Sequence, residues 1–151
     1  MSYMLSAERR FKFLKRFNSR PAKRTITWHS IPIKIEIDKG DTKEGYDESG
    51  NPWSHEYKFP YGEIPSTHAL SDGDPVDIYI GESSQSTLVY VIHQRKKNGS
   101  FDEDKCFLNF PDRASAILAY KQHGPAWGFG SMDQMTVDQF IHGYLASNRK
   151  W

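Results

Sequence analysis

The run IPIKIEI, residues 31–37, constrains the fold more than any other part of the chain. Ile31, Ile33, Ile35 and Ile37 recur every second residue, the period of a strand with one buried face and not of a helix. Lys34 and Glu36 then fall on the opposite side, so Glu36 is expected to point away from the apolar face. Further strands read at PVDIYI, TLVYVIH and KCFLNF, with KKNGS turning between the last two. The segment Asp47–Asn51 has the composition of a hairpin connection with Gly50 at its tip. Short strands at regular spacing predict a small antiparallel β-barrel of about five strands.

Helices come late in the chain. Asp112 is placed to cap RASAILAYKQH, and Thr136–Gln139 has the form of a capping box opening TVDQFIHGYLAS. GPAWGFGS between them reads as a loop. The expected class is therefore α+β, a small barrel with C-terminal helices packed on it. With 151 residues, 37% apolar and 14% aromatic, one compact core is the default. The single Cys106 excludes an intramolecular disulfide framework and a multi-cysteine zinc site and is expected in the core. The six histidines show no tight ligand spacing and are read as structural or surface groups. Trp28, Trp53 and Trp127 are read as core or rim packing, and Trp151 as a terminal anchor at most. No apolar run is long enough for a membrane span or has the form of a secretory signal, so a cytoplasmic location is expected.

The net charge of +1 conceals an asymmetry: residues 1–24 hold eight Lys/Arg against one acid, Glu8, leaving twelve against eighteen in the rest. This divides the chain into a basic extension, 1–24, and a body, 25–151. Within the extension, SAERRFKFLKRFNSR has Ser6 as N-cap and Phe13/Phe17 and Phe11/Leu14 at helical spacings, which predicts a basic amphipathic helix. Packing of its Phe face on the body is favoured over nucleic-acid contact through residues 9–24.

The stretch DGDPVDIYIG puts Asp72, Asp74 and Asp77 at spacings of two and three. On an extended loop Asp72 and Asp74 face the same side, and the bend fixed by Pro75 can bring Asp77 to join them. Three convergent carboxylates need protonation or a cation, and Mg²⁺, with its preference for oxygen ligands, is the cytoplasmic answer. An EF-hand is excluded, because its sixth and twelfth positions would be Gly and Glu where Asp77 and Ser83 stand. The competing structural reading is a solvated acidic turn.

DGDPVDI resembles the signature of soluble (family I) inorganic pyrophosphatases, Asp-x-Asp-Pro-x-Asp followed by an apolar residue. Tyr61-Gly62 upstream, Glu103 and Lys105 downstream, and Tyr120-Lys121 on the late helix follow in the family's order. The resemblance spans roughly residues 31–125 and is closest to the pyrophosphatase-like domain of phage polyvalent proteins. It implies an OB-like barrel and Mg²⁺-dependent hydrolysis of pyrophosphate or a related phosphoanhydride, with an infected bacterium's cytoplasm as the setting. By the same resemblance Asp74 is the general base, with Tyr61 hydrogen-bonding near it. Asp72, Asp77 and Glu103 hold the metal pair, and Glu36 a further one. Lys43, Lys105, Tyr120 and Lys121 grip phosphate oxygens.

Two positions depart from the pattern. No arginine lies between Lys43 and Tyr61-Gly62, where Lys58 or His55 is the available substitute, and a lysine lacks arginine's planar bidentate grip. Asn98 stands where the family has an acid five residues before Glu103. The alternative readings are a noncatalytic module that binds nucleic acid or a virion partner through the basic helix, and a hydrolase of a nucleotide-type phosphoanhydride. A homo-oligomer is left open. Taken singly, Glu103 and Lys105 read as an outward-facing strand pair, and Tyr120-Lys121 as a packed ring beside a solvated amine.

Overall fold

The computed structural model describes residues 23–65, 67 and 75–148. The expected N-terminal helix, Asp72, Asp74 and Trp151 lie outside the described residues.

The described residues form nine strands: β1 (Arg24–Trp28), β2 (Ile31–Ile37), β3 (Thr42–Tyr46), β4 (Pro52–Glu56), β5 (Tyr61–Ile64), β6 (Val76–Ile80), β7 (Leu88–Arg95), β8 (Phe101–Leu108) and β9 (Phe129–Thr136). Seven form one sheet in the order β1-β2-β5-β6-β8-β7-β9, and β3 and β4 form a separate hairpin. The class is mixed α+β, as expected, but the sheet is open in its pairing, from β1 at one edge to β9 at the other. All pairs are antiparallel except β6–β8, which is parallel.

The expected strands at β2, β6, β7 and β8 are present, as are both turns. Asp47 closes the β3–β4 connection by accepting from the amides of Ser49 and Asn51, with Gly50 at φ +83°. Lys96–Ser100 turns between β7 and β8 with Gly99 at φ +92°. Arg24, assigned from its charge to the basic extension, opens β1 instead and pairs with Asp38. GPAWGFGS is not a loop throughout: Ala126–Gly128 form a 3₁₀ turn, and Phe129 begins β9.

The sheet buries both faces. On the back, Ile33, Ile35, Ile78, Val91 and Leu108 form one core, closed by Phe140 and Leu145. Each such isoleucine contributes roughly 1.5–3 kcal/mol over an exposed one. Cys106 is fully buried there, and Trp28 meets Phe140 edge-on at 5.9 Å. On the front, Tyr61, Tyr79, Tyr90 and Phe107 form a second core under helix α1 (Arg113–His123). Asp112 caps α1, as expected, and the cap is a capping box completed by Ser115. The second capping box, Thr136 with Gln139, opens α2 (Val137–Gln139), which continues as π-helical turns over Phe140–Leu145. That wider winding stacks Phe140 on Tyr144 at 5.3 Å against the back core.

A clasp crosses the back of the sheet. His93 on β7 meets Asp104 of β8 through Nδ1 at 2.6 Å and Asp133 of β9 through Nε2 at 2.9 Å, while the Tyr144 hydroxyl donates to Asp104 at 2.7 Å. A carboxylate only accepts, so both bonds form only when the imidazole carries two protons. Burial opposes that charge, but the bonds to Asp133 and Asp104 outweigh it and raise the His93 pKa.

Candidate active site

Strand alternation and two bulges assemble the candidate site on the front face. Glu63 on β5 stands opposite Asp77 on β6. The parallel pairing of β6 with β8 brings Asp77 beside Glu103 and Lys105. The Lys105 Nζ lies 3.2 Å from Asp77 Oδ2 and 3.3 Å from Glu103 Oε2, and 5.5 Å from the centre of the Tyr61 ring. Asp77, Glu103 and Lys105 are only 2%, 1% and 1% exposed. Two carboxylates and one ammonium are thus held almost out of water, where desolvation costs several kcal/mol per ion and only mutual attraction with further polar contacts offsets it. Glu103 and Lys105 are therefore no outward-facing surface pair.

Glu36 is buried, although Lys34 two residues before it is exposed. Between β2 and β5 the register runs Ile35↔Gly62, then Ile37↔Tyr61, leaving Glu36 as the extra residue of a β-bulge. The bulge breaks the alternation, so Ile37 joins the front core while Ile33 and Ile35 remain at the back. Gly62 is what lets β2 and β5 approach here, since a Cβ on it would sit 1.9 Å from the Lys34 carbonyl oxygen.

The aromatic layer connects this cluster to the hairpin. Lys43 on β3 is the cross-strand partner of His55 on β4. The His55 ring lies 4.7 Å from Tyr57 and 5.2 Å from His123, and Tyr57 lies 5.9 Å from Tyr61. Burial, then the nearby Lys58 charge, lowers the His55 pKa, so it is no constant cation in place of an arginine. Lys58 is exposed, with its Nζ 3.7 Å from Glu56, while its backbone amide donates to His123 Nε2 at 3.0 Å. Lys121 is exposed on α1, one residue from the buried Tyr120. Trp127, read as core or rim packing, is 42% exposed and so is not a core residue.

The structure therefore brings together Tyr61, Asp77, Glu103 and Lys105, with Glu36 on the bulge opposite Tyr61. Lys43 is half-buried on the hairpin, and Lys58 and Lys121 lie at the surface. Two residues that motif order did not mark also belong to this face. Tyr120 donates its hydroxyl proton to Gln94 Oε1, and Gln94 Nε2 donates to Asp102 Oδ2, both at 2.9 Å. The available signal for Gln94 was a polar side chain at the inward phase of TLVYVIHQ, in step with Tyr90 and Ile92.

Asp77 and Glu103 supply only oxygen donors, which suits a hard divalent cation. Among the described residues no group of three or more His, Cys, Asp or Glu is arranged to hold a metal.

Clustered carboxylates around a buried lysine on a mixed α+β sheet define a class: proteins that balance anionic oxygens against cations in a site shielded from water. A family model for inorganic pyrophosphatases matches residues 14–144, and the chain belongs to that family. The chain finds no match among curated proteins or solved structures. Among the described residues no helix is long and apolar enough to cross a membrane.

Proposed function

We propose that this protein is an Mg²⁺-dependent inorganic diphosphatase, hydrolysing pyrophosphate to two phosphates. Membership of the pyrophosphatase family supports a pyrophosphatase-like hydrolase. The observation that carries the reading is the buried Asp77–Lys105–Glu103 cluster, because it gathers family-matched residues from two strands at one point.

Asp72, Asp77 and Glu103 would hold the metal, with Glu36 at a further ion. Bound Mg²⁺ would neutralise phosphate charge and lower the pKa of a coordinated water. By the family resemblance Asp74 would accept the proton of the attacking water, and Tyr61 would hydrogen-bond near that base. Lys105 offers a point charge to a phosphate oxygen from within the fold, and Lys43, Lys58 and Lys121 offer theirs from its rim. Tyr120 would stand beside the phosphate in this reading, its hydroxyl proton already given to Gln94. The family's OB-like barrel would be the corresponding fold, and the bulges would supply local curvature toward it in a sheet whose described pairing is open. The substrate is a soluble anion, in keeping with action in a cytoplasm.

The test is phosphate release from pyrophosphate with Mg²⁺ and with EDTA, for wild type and Asp74→Asn. Turnover that needs Mg²⁺ and falls at least 100-fold in the variant is expected. Folded wild-type protein with no turnover in Mg²⁺ would sink the proposal. Release of phosphate from nucleotides in preference to pyrophosphate would redirect it to a nucleotide-type phosphoanhydride.

A further inference from the structure

We propose that Gln94 is a positioning residue of this site, fixing the hydroxyl of Tyr120 and the carboxylate of Asp102 against each other across α1, β7 and β8. The inference rests on the hydrolytic reading above and gives a part in it to two residues, Gln94 and Asp102, that motif order leaves without one.

Gln94 is 2% exposed, so its amide must find partners inside the protein. It accepts from the Tyr120 hydroxyl and donates to Asp102, each at 2.9 Å. The orientation of an amide is usually inferred from its network, and here chemistry fixes it. A carboxylate only accepts, so Nε2 faces Asp102. The carbonyl then faces Tyr120, whose hydroxyl must donate, and its proton is committed to Gln94.

Backbone geometry converges on the same residue. Strict alternation along β8 would turn Asp102 to the back of the sheet with Asp104, which bonds His93 there. Instead the register steps from Gln94↔Glu103 to Arg95↔Phe101, leaving Asp102 as a bulge residue aimed at Gln94. On the other side of β7 a second shift, from His93↔Ser131 to Gln94↔Phe129, lets the chain from the 3₁₀ turn close over the pair. A Cβ on Gly128 would stand 2.5 Å from the Tyr120 hydroxyl and 3.4 Å from Gln94 Cγ, so glycine is required at that closure. Asp102 immediately precedes Glu103, whose carboxylate meets Lys105. Gln94 thus holds both Tyr120 and the bulge that carries Glu103 into the cluster.

The test is steady-state hydrolysis of pyrophosphate by wild type, Gln94→Met, Gln94→Glu, Tyr120→Phe and the double variant Gln94→Met/Tyr120→Phe. Gln94→Met is expected to raise KM at least fivefold with kcat within twofold. Gln94→Glu keeps an acceptor for Tyr120 but sets a carboxylate against Asp102, and its KM should fall between. The double variant should be no worse than the worse single variant within twofold. A purely structural role would lower kcat through loss of folded enzyme and leave KM in place. That result, or KM effects that multiply in the double variant, overturns the inference. Should Gln94→Met fail to fold, Gln94→Glu against Tyr120→Phe carries the same comparison.

Fluorine NMR of protein labelled with 3-fluorotyrosine, with the Tyr120 resonance assigned by its loss in Tyr120→Phe, gives a reading independent of turnover. The resonance should move in the Gln94 variants. A wild type without turnover would overturn the hydrolytic reading. It would remove this inference as well only if that resonance also stays in place.

Discussion

His123 carries one ring proton, on Nδ1, where it donates to the Ala119 carbonyl at 2.6 Å, leaving Nε2 to accept from the Lys58 amide. This ties α1 to the segment entering β5. Burial, assisted by the charge of His55 and Lys58, lowers its pKa to about 4 despite the Ala119 bond. As pH falls below the unfolded value of about 6.5, the unfolded chain takes up the proton first. The contribution is complete above that value and is lost towards pH 4, on the order of 3 kcal/mol over the whole window. The thermal midpoint should fall across that range, and His123→Gln should flatten the fall. His93 has the opposite sign, because its pKa is raised. Its clasp contributes fully below about pH 6.5 and is lost as pH rises through the folded value, so His93→Gln should lower the midpoint at pH 6 more than at pH 9. Asp77 was legible in advance through DGDPVDI, and Glu36, Glu103 and Lys105 through the order of the family's motifs. The inward turn of Asp102 was not, because a bulge resets which face a residue occupies and leaves no period in the sequence.

At the scale of the element, the β1–β2 connection shows a local cost. His29 and Ser30 form this two-residue turn with φ of +48° and +68°, where a side chain is disfavoured and glycine is not. Ser30→Gly should stabilise the protein by about 1 kcal/mol, the strain of a left-handed non-glycine residue less the added freedom of the unfolded chain. Calorimetry would register a rise in midpoint of roughly 2–4 °C, and a fall would show that the turn is not under strain. The same turn explains why β1 escaped the sequence reading: HS carries none of the Asn-Gly chemistry that marks a hairpin. β9 escaped for another reason, since FGSMDQMT lies at the sheet edge, largely exposed, and shows no apolar alternation. Both late helices were legible because capping boxes are local chemistry, independent of what the helix later packs against. The continuation of α2 in π geometry follows from tertiary packing of Phe140 and Leu145, which no local signal encodes.

For the molecule as a whole, stability and the candidate chemistry meet at Lys105. Removing it by Lys105→Met leaves Asp77 and Glu103 close together without their buried ammonium, a change that costs about 3–5 kcal/mol in such pairs. The metal-free variant should melt well below wild type. Because any ion that binds only the folded state stabilises it, millimolar Mg²⁺ should recover more of the midpoint in the variant than in wild type. Equal Mg²⁺ shifts in the two proteins would show that the ion does not replace the lysine's charge.

The parallel pairing of β6 with β8 also governs when the cluster can come into being. β7 and β8 form a local hairpin through Lys96–Ser100, whereas β6 meets β8 only across the intervening chain, on the edge of β8 that β7 leaves open. Local hairpins close in microseconds, and a non-local parallel pairing must first meet the entropy of its longer loop. Asp77 and Glu103 are therefore expected to become neighbours late, when the two halves of the sheet dock. On a ribosome, the emerging chain would remain without the Asp77–Lys105–Glu103 cluster until β8 had cleared the exit tunnel.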